Sequence, residues 1–107
     1  MSYRIVKTYP ELKRFGRLRH RDQRKYIKTC SNEFVKCICD CANNIVKRIV
    51  PLKANQIDKL RRHRKSIRQL AVKRTPLKKK RQILQRGGFL HLLLPPVIGY
   101  LASKLIG

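Results

Sequence analysis

Apolar residues between positions 31 and 50 follow a helical beat. In SNEFVKCICDCANNIVKRIV, Phe34, Val35, Ile38, Cys41, Ala42, Ile45, Val46 and Ile49 recur at steps of three and four. That spacing places them on one face of a helix. Ser31 can cap the first amides, and Glu33 suits the positive end of the helix dipole. Lys47 and Arg48 suit the other end, and Pro51 ends or interrupts the helix. Residues 52–74 predict a second helix with a narrow stripe of Ile57, Leu60, Ile67 and Ala71, broken by Arg64. Thr75 as a cap and Pro76 at the first helical position open a third, short helix over 76–86. The expected fold is all-α: a small helical hairpin or three-helix unit over 31–86.

The flanks read differently. Over 1–30, Tyr3, Tyr9, Phe15, Leu18 and Tyr26 are scattered among dense Lys and Arg. This predicts a basic N-terminal arm, poorly ordered in the free chain, with 17–28 able to become helical on a polyanion. Gly87-Gly88 predicts a flexible connector. Beyond it, FLHLLLPPVIGYLASKLIG (89–107) is apolar and near the length of a bilayer span. Pro95-Pro96 split it, and His91 and Lys104 interrupt it. The segment therefore reads as an apolar tail of two short pieces. Phe89, Leu90, Leu92, Leu93, Leu94, Val97, Ile98 and Leu101 would meet a membrane interface or a capsid surface.

Charge changes the picture most. The 107 residues carry 28 Lys+Arg against 5 Asp+Glu, a formal net charge of +23. Residues 1–86 hold 27 of the basic residues and all five acids, 27 − 5 = +22, and only Lys104 follows. Self-repulsion of this size weakens a compact free chain, and a polyanion relieves it. Nucleic acid is the first expected partner and an anionic membrane the second. The expected phosphate contacts are Arg17, Arg19, Arg21, Arg24 and Lys25 in the arm, and Lys59, Arg61, Arg62, Arg64, Lys65 and Arg68 in the second helix. Lys73, Arg74, Lys78, Lys79, Lys80 and Arg81 follow around the third. No zinc-finger spacing, RNP-type aromatic strand or leucine-zipper heptad accompanies them, so binding to double-stranded DNA is expected to ignore base sequence. The apolar face of 31–50 offers a route to self-association.

Little else suggests chemistry. MSYRIVKTYPELKRFGR holds no apolar run of signal-peptide length, so Cys30, Cys37, Cys39 and Cys41 are expected as reduced thiols. On a helix Cys39 points about 200° away from Cys37, which does not converge on a metal. His20, His63 and His91 lie far apart in sequence. No carboxylate pair, activated nucleophile or phosphate loop is present. No enzyme, metal or cofactor is expected.

The most specific local string is Gln85-Arg86-Gly87-Gly88-Phe89. Paired glycines can lie extended in a narrow protease cleft, or can cap a helix and begin a linker. LQRGGFLHLLLPPVIGYLASKLIG, preceded by dense Arg and Lys, resembles the small core-protein precursor of adenoviruses (the protein X or mu precursor). That resemblance implies cleavage by a viral cysteine protease between Gly88 and Phe89, with Gln85 where the family favours Met, Leu or Ile. The longer pattern over 34–90 resembles small virion proteins of adintoviruses, Maverick/Polinton elements and adomaviruses. It implies a virion core or minor capsid component, with viral capsid proteins and a viral cysteine protease as partners, located in the virion core and, during assembly, the host nucleus.

The sequence thus reads as a DNA-condensing core protein. One alternative is a membrane-active minor capsid protein working through 89–107. Another is a cellular ribosomal or histone-like basic protein.

Overall fold

The computed structural model describes residues 3–106. Seven helices occur among them: α1 (Tyr3–Gly16), α2 (His20–Thr29), α3 (Asn32–Val46), α4 (Ala54–Arg61), α5 (Arg64–Ala71), α6 (Leu77–Gly87) and α7 (Leu90–Ile106). No strand occurs among the described residues, and the fold is all-α.

α3 is the central element and packs against α1, α5, α6 and α7. Ser31 caps it by accepting from the Phe34 amide at 3.1 Å. Its apolar stripe is buried as the spacing predicts at Phe34, Val35, Ile38, Cys41, Ala42 and Ile45. Cys37, Cys39 and Asn44 are buried too, because neighbours surround the helix on more than one side. The helix ends at Val46, earlier than Pro51 requires. Arg48 turns left-handed at φ 58°, and the amides of Ile49 and Val50 fold back onto the Asn44 carbonyl at 2.9 and 3.5 Å. Val46 and Ile49 consequently leave the core.

Residues 3–29, expected to be a poorly ordered arm, form α1 and α2. Ile5, Leu12, Phe15 and Ile27 are buried, and three rings bind the elements together. Phe15, Tyr26 and Phe34 form a triangle with centroids 5.2 to 5.5 Å apart. Edge-to-face aromatic pairs contribute beyond their buried area. Gln23 donates to the Phe15 carbonyl at the end of α1 (3.1 Å), and Tyr26 donates to Glu11. Arg4 ties α1 to α3 through Asp40 (2.9 Å) and Glu33 (3.4 Å).

The apolar tail is also part of the core. α7 continues through Pro95-Pro96 and, with Phe89 just before it, buries Leu90, Leu93, Leu94, Val97 and Leu101, at spacings of one, three and four residues. Each interior proline costs about 3 kcal/mol, whereas each fully buried large apolar side chain contributes about 1.5–3 kcal/mol. Six such side chains outweigh two prolines. α7 lies against α1 so closely that a Cβ on Gly16 would come within 2.6 Å of Ile98 Cδ1.

The expected second helix is two helices, broken at Arg62-His63. The break lets α4 pack on α7 while α5 packs on α3 and α6. Leu60, Ile67 and Leu70 are buried, whereas Ile57 stays 43% exposed. Pro76, not Thr75, is the residue preceding α6. The Cα radius of gyration is 12.6 Å, close to the ~13 Å of a compact domain of about 100 residues. Arm, hairpin and tail therefore make one body.

Candidate nucleic-acid interface

Helices α2, α6 and α5 pack in series, with α6 touching both of the others. Each is amphipathic and keeps only a few residues for the core: Gln23 and Ile27 on α2, Leu84 on α6, Ile67 and Leu70 on α5. The remaining surface is basic. Arg21, Arg24, Lys25 and Lys28 are exposed on α2, Lys78 and Lys79 on α6, and Arg64, Lys65 and Arg68 on α5. Arg17 and Arg19 are exposed before α2, Lys59 and Arg61 on α4, Arg62 at the helix break, and Lys73 and Arg74 between α5 and α6. Lys80 is half-buried. Arg64, Lys65 and Arg68 also border a shallow depression with Gln69, Val72 and Thr75.

Across α2, α5 and α6 the surface carries a single carboxylate, the exposed Asp22 of α2. All five acids of the chain lie at or before Asp58. Glu33 and Asp40 are engaged by Arg4, and Glu11 by Tyr26. Between Lys59 and Arg86 no carboxylate occurs. Asp58 lies 3.8 Å from Arg61, but both are well exposed, and such pairs contribute little. The cations of α5 and α6 thus lack local compensation from their own helices.

Arg81 departs from the expectation for it. Its Nη1 donates to the carbonyls of Ile27 (2.7 Å) and Cys30 (2.9 Å), and its Nη2 to Asn32 Oδ1 (2.8 Å). These carbonyls lie at the C-terminal end of α2, where orphan acceptors and the negative end of the dipole favour a cation. Arg81 is a clamp between α6 and the α2–α3 junction. Conversely, Lys28 and Arg86 are exposed basic residues on the same helices that sequence reasoning left out of the interface. Their helical spacing from Arg24, Lys25 and Lys79 was the available signal.

The Gly-Gly connector is not extended. Gly87 ends α6, and Gly88 caps it in the left-handed region at φ 62°, the conformation glycine supplies without strain. Phe89 is fully buried, with the His63 ring 5.4 Å from it. Gln85 is half-buried and Arg86 exposed. The residues assigned to a membrane or capsid face are largely interior: Leu92 and Ile98 are half-buried and the other six are buried. Among the described residues, no helix is long and apolar enough to cross a membrane. The fold brings His20 and His91 together, with ring centroids 5.5 Å apart and edge to face.

The cysteines are free thiols used for packing. Burial pushes Cys39 up to about 11, and burial also raises Cys30 despite the adjacent Arg81 guanidinium. Cys37 and Cys41 share a hydrogen bond one helical turn apart, which raises Cys41 well above an ordinary thiol, with burial adding to it. Raised values suppress the thiolate at Cys30, Cys39 and Cys41, whereas the hydrogen bond with Cys41 lowers Cys37. Among the described residues, no group of three or more His, Cys, Asp or Glu could hold a metal ion. Comparison with protein-family models, curated proteins and solved structures returns no match.

Proposed function

We propose that the protein binds double-stranded DNA by neutralising phosphates without reading base sequence, and condenses it. One observation carries the reading: the exposed Lys and Arg of α2, α5 and α6 lie on packed neighbouring helices that hold one carboxylate among them, Asp22. Phosphates release counterions when such cations displace them, which supplies affinity with no base contact. Cations distributed also over α4 and the α1–α2 connector allow one molecule to touch two duplexes, and bridging of that kind draws DNA together. A virion core, the setting implied by the sequence resemblance, offers such a polyanion in excess. Titration of mixed-sequence duplexes across a salt series tests the proposal. With about 8 phosphates contacted, log K falls against log salt with a slope near −7. A shallow slope, or strong preference for one duplex in the mixture, refutes it.

A further inference from the structure

A groove of about 520 Å³ lies between the C-terminal end of α3, the 47–53 connector, α4 and α5. Ile45, Leu60 and Ile67 are among the apolar residues lining it, and Val46 and Ile57, 42% and 43% exposed, leave apolar surface open to solvent. Arg48, Arg61, Arg64 and Arg68 also line it, and no acid does. Lys and Arg are equally numerous in the chain, 14 each, yet every cation here is Arg. The guanidinium fork matches the two oxygens of a carboxylate, which a lysine cannot do.

Arg48 is the second observation. It holds φ 58° immediately after the α3 cap, where glycine is the unstrained choice. Backbone strain of this kind collects at binding sites. The turn places Arg48 in the lining of the same groove as Arg61, Arg64 and Arg68.

The groove is both apolar and cationic, and this narrows its occupant. A duplex backbone offers no apolar surface to Val46 and Ile57. A single anionic headgroup would satisfy one or two of the four arginines. A second copy of this chain brings a charge of +23. A helix with one apolar face flanked by several carboxylates complements both features. We propose that the groove docks an acidic amphipathic helix of a partner protein, with its apolar face on Val46 and Ile57 and its carboxylates on the four arginines.

The test uses the full chain and a fluorescent helical peptide of about 14 residues, with Leu at i, i+3, i+4 and i+7 and Glu on the flanks. A scrambled peptide of the same composition keeps the charge and loses the apolar face. At roughly 0.15 M salt, the ordered peptide should bind about tenfold or more tighter than the scrambled one. Arg61→Gln/Arg64→Gln should lose about tenfold, while Lys78→Gln/Lys79→Gln, an equal change in charge, should lose no more than about twofold. Ile57→Ser, at an exposed position, should weaken the ordered peptide and leave duplex binding unchanged. Equal binding of the two peptides, or equal losses in the two double variants, overturns the proposal in favour of general polyanion adsorption. So does groove-dependent binding of oleate without binding of the ordered peptide, which would assign the site to a small amphiphile.

Discussion

Replacing Arg81 separates a structural clamp from a phosphate contact. The wild-type guanidinium makes three hydrogen bonds of 2.7 to 2.9 Å to Ile27, Cys30 and Asn32, and a longer one of 3.4 Å to the Cys30 sulfur. Arg81→Met keeps the stem and removes them all. Hydrogen bonds involving a charged group contribute about 1.5–3 kcal/mol each, but the site is only part-buried and water can replace some of them. A loss of about 2–3 kcal/mol follows, well below the plain sum. For a domain near this size each kcal/mol shifts Tm by about 4–8 °C, so thermal melts should show a fall of roughly 10 °C or more. Arg81→Lys keeps the charge and forfeits the fork, and should lose about half as much. Duplex binding, measured below the lowest Tm, should retain the wild-type salt slope in both variants. Lys79→Gln, an exposed contact, should reduce the slope by about 0.9 and leave Tm unchanged. If Arg81→Met melts within about 2 °C of wild type while its salt slope drops like that of Lys79→Gln, the clamp does not exist and Arg81 belongs to the interface.

Other outcomes are open to direct measurement. Gly99 is helical and exposed, with nothing within 4 Å of a Cβ, so Gly99→Ala should stabilise by about 1 kcal/mol in denaturant titrations. Tyr26 is pushed up to about 12, chiefly by burial and then by its hydrogen bond to Glu11. Because the folded value exceeds the unfolded one, its contribution is intact below about pH 10 and lost as pH rises through about 12, and Tyr26→Phe should flatten stability over that window. An adenovirus-type cysteine protease should spare Gly88–Phe89 in the folded protein, because Phe89 is fully buried. Mass spectrometry should find the fragment ending at Gly88 only as urea unfolds the chain, and rapid native cleavage would show that α7 undocks readily.

α3 was legible because its periodicity and Ser31 cap agree, and neither depends on a distant residue. Its other buried surface was not, since Cys37 and Cys39 are interior only because α1, α5, α6 and α7 gather round them. The arm was misread for the same reason. Phe15 and Tyr26 look scattered until Phe34 completes the ring triangle. Pro95-Pro96 argued for a broken tail, and tertiary burial of Leu93, Leu94 and Val97 overrode that local preference. At the interface, cation density was plain from sequence. Nothing in the run Lys78-Lys79-Lys80-Arg81 distinguishes the last residue as a clamp, because its acceptors lie some fifty positions earlier. Arg64, which interrupts the apolar stripe, was a visible sign of the groove without its second wall.

The pairing of α1 with α7 has a consequence for how the protein comes into being. A growing chain presents α1 to α6 first, with Phe15, Leu12 and the α3 stripe awaiting a partner that is still to be translated. Contacts between elements so far apart in sequence form late and slowly. Through that interval the nascent chain is a polycation with an unfinished interior, exposed to every RNA near the ribosome. Docking of α7 therefore sets the moment at which a sticky basic peptide becomes a shaped particle.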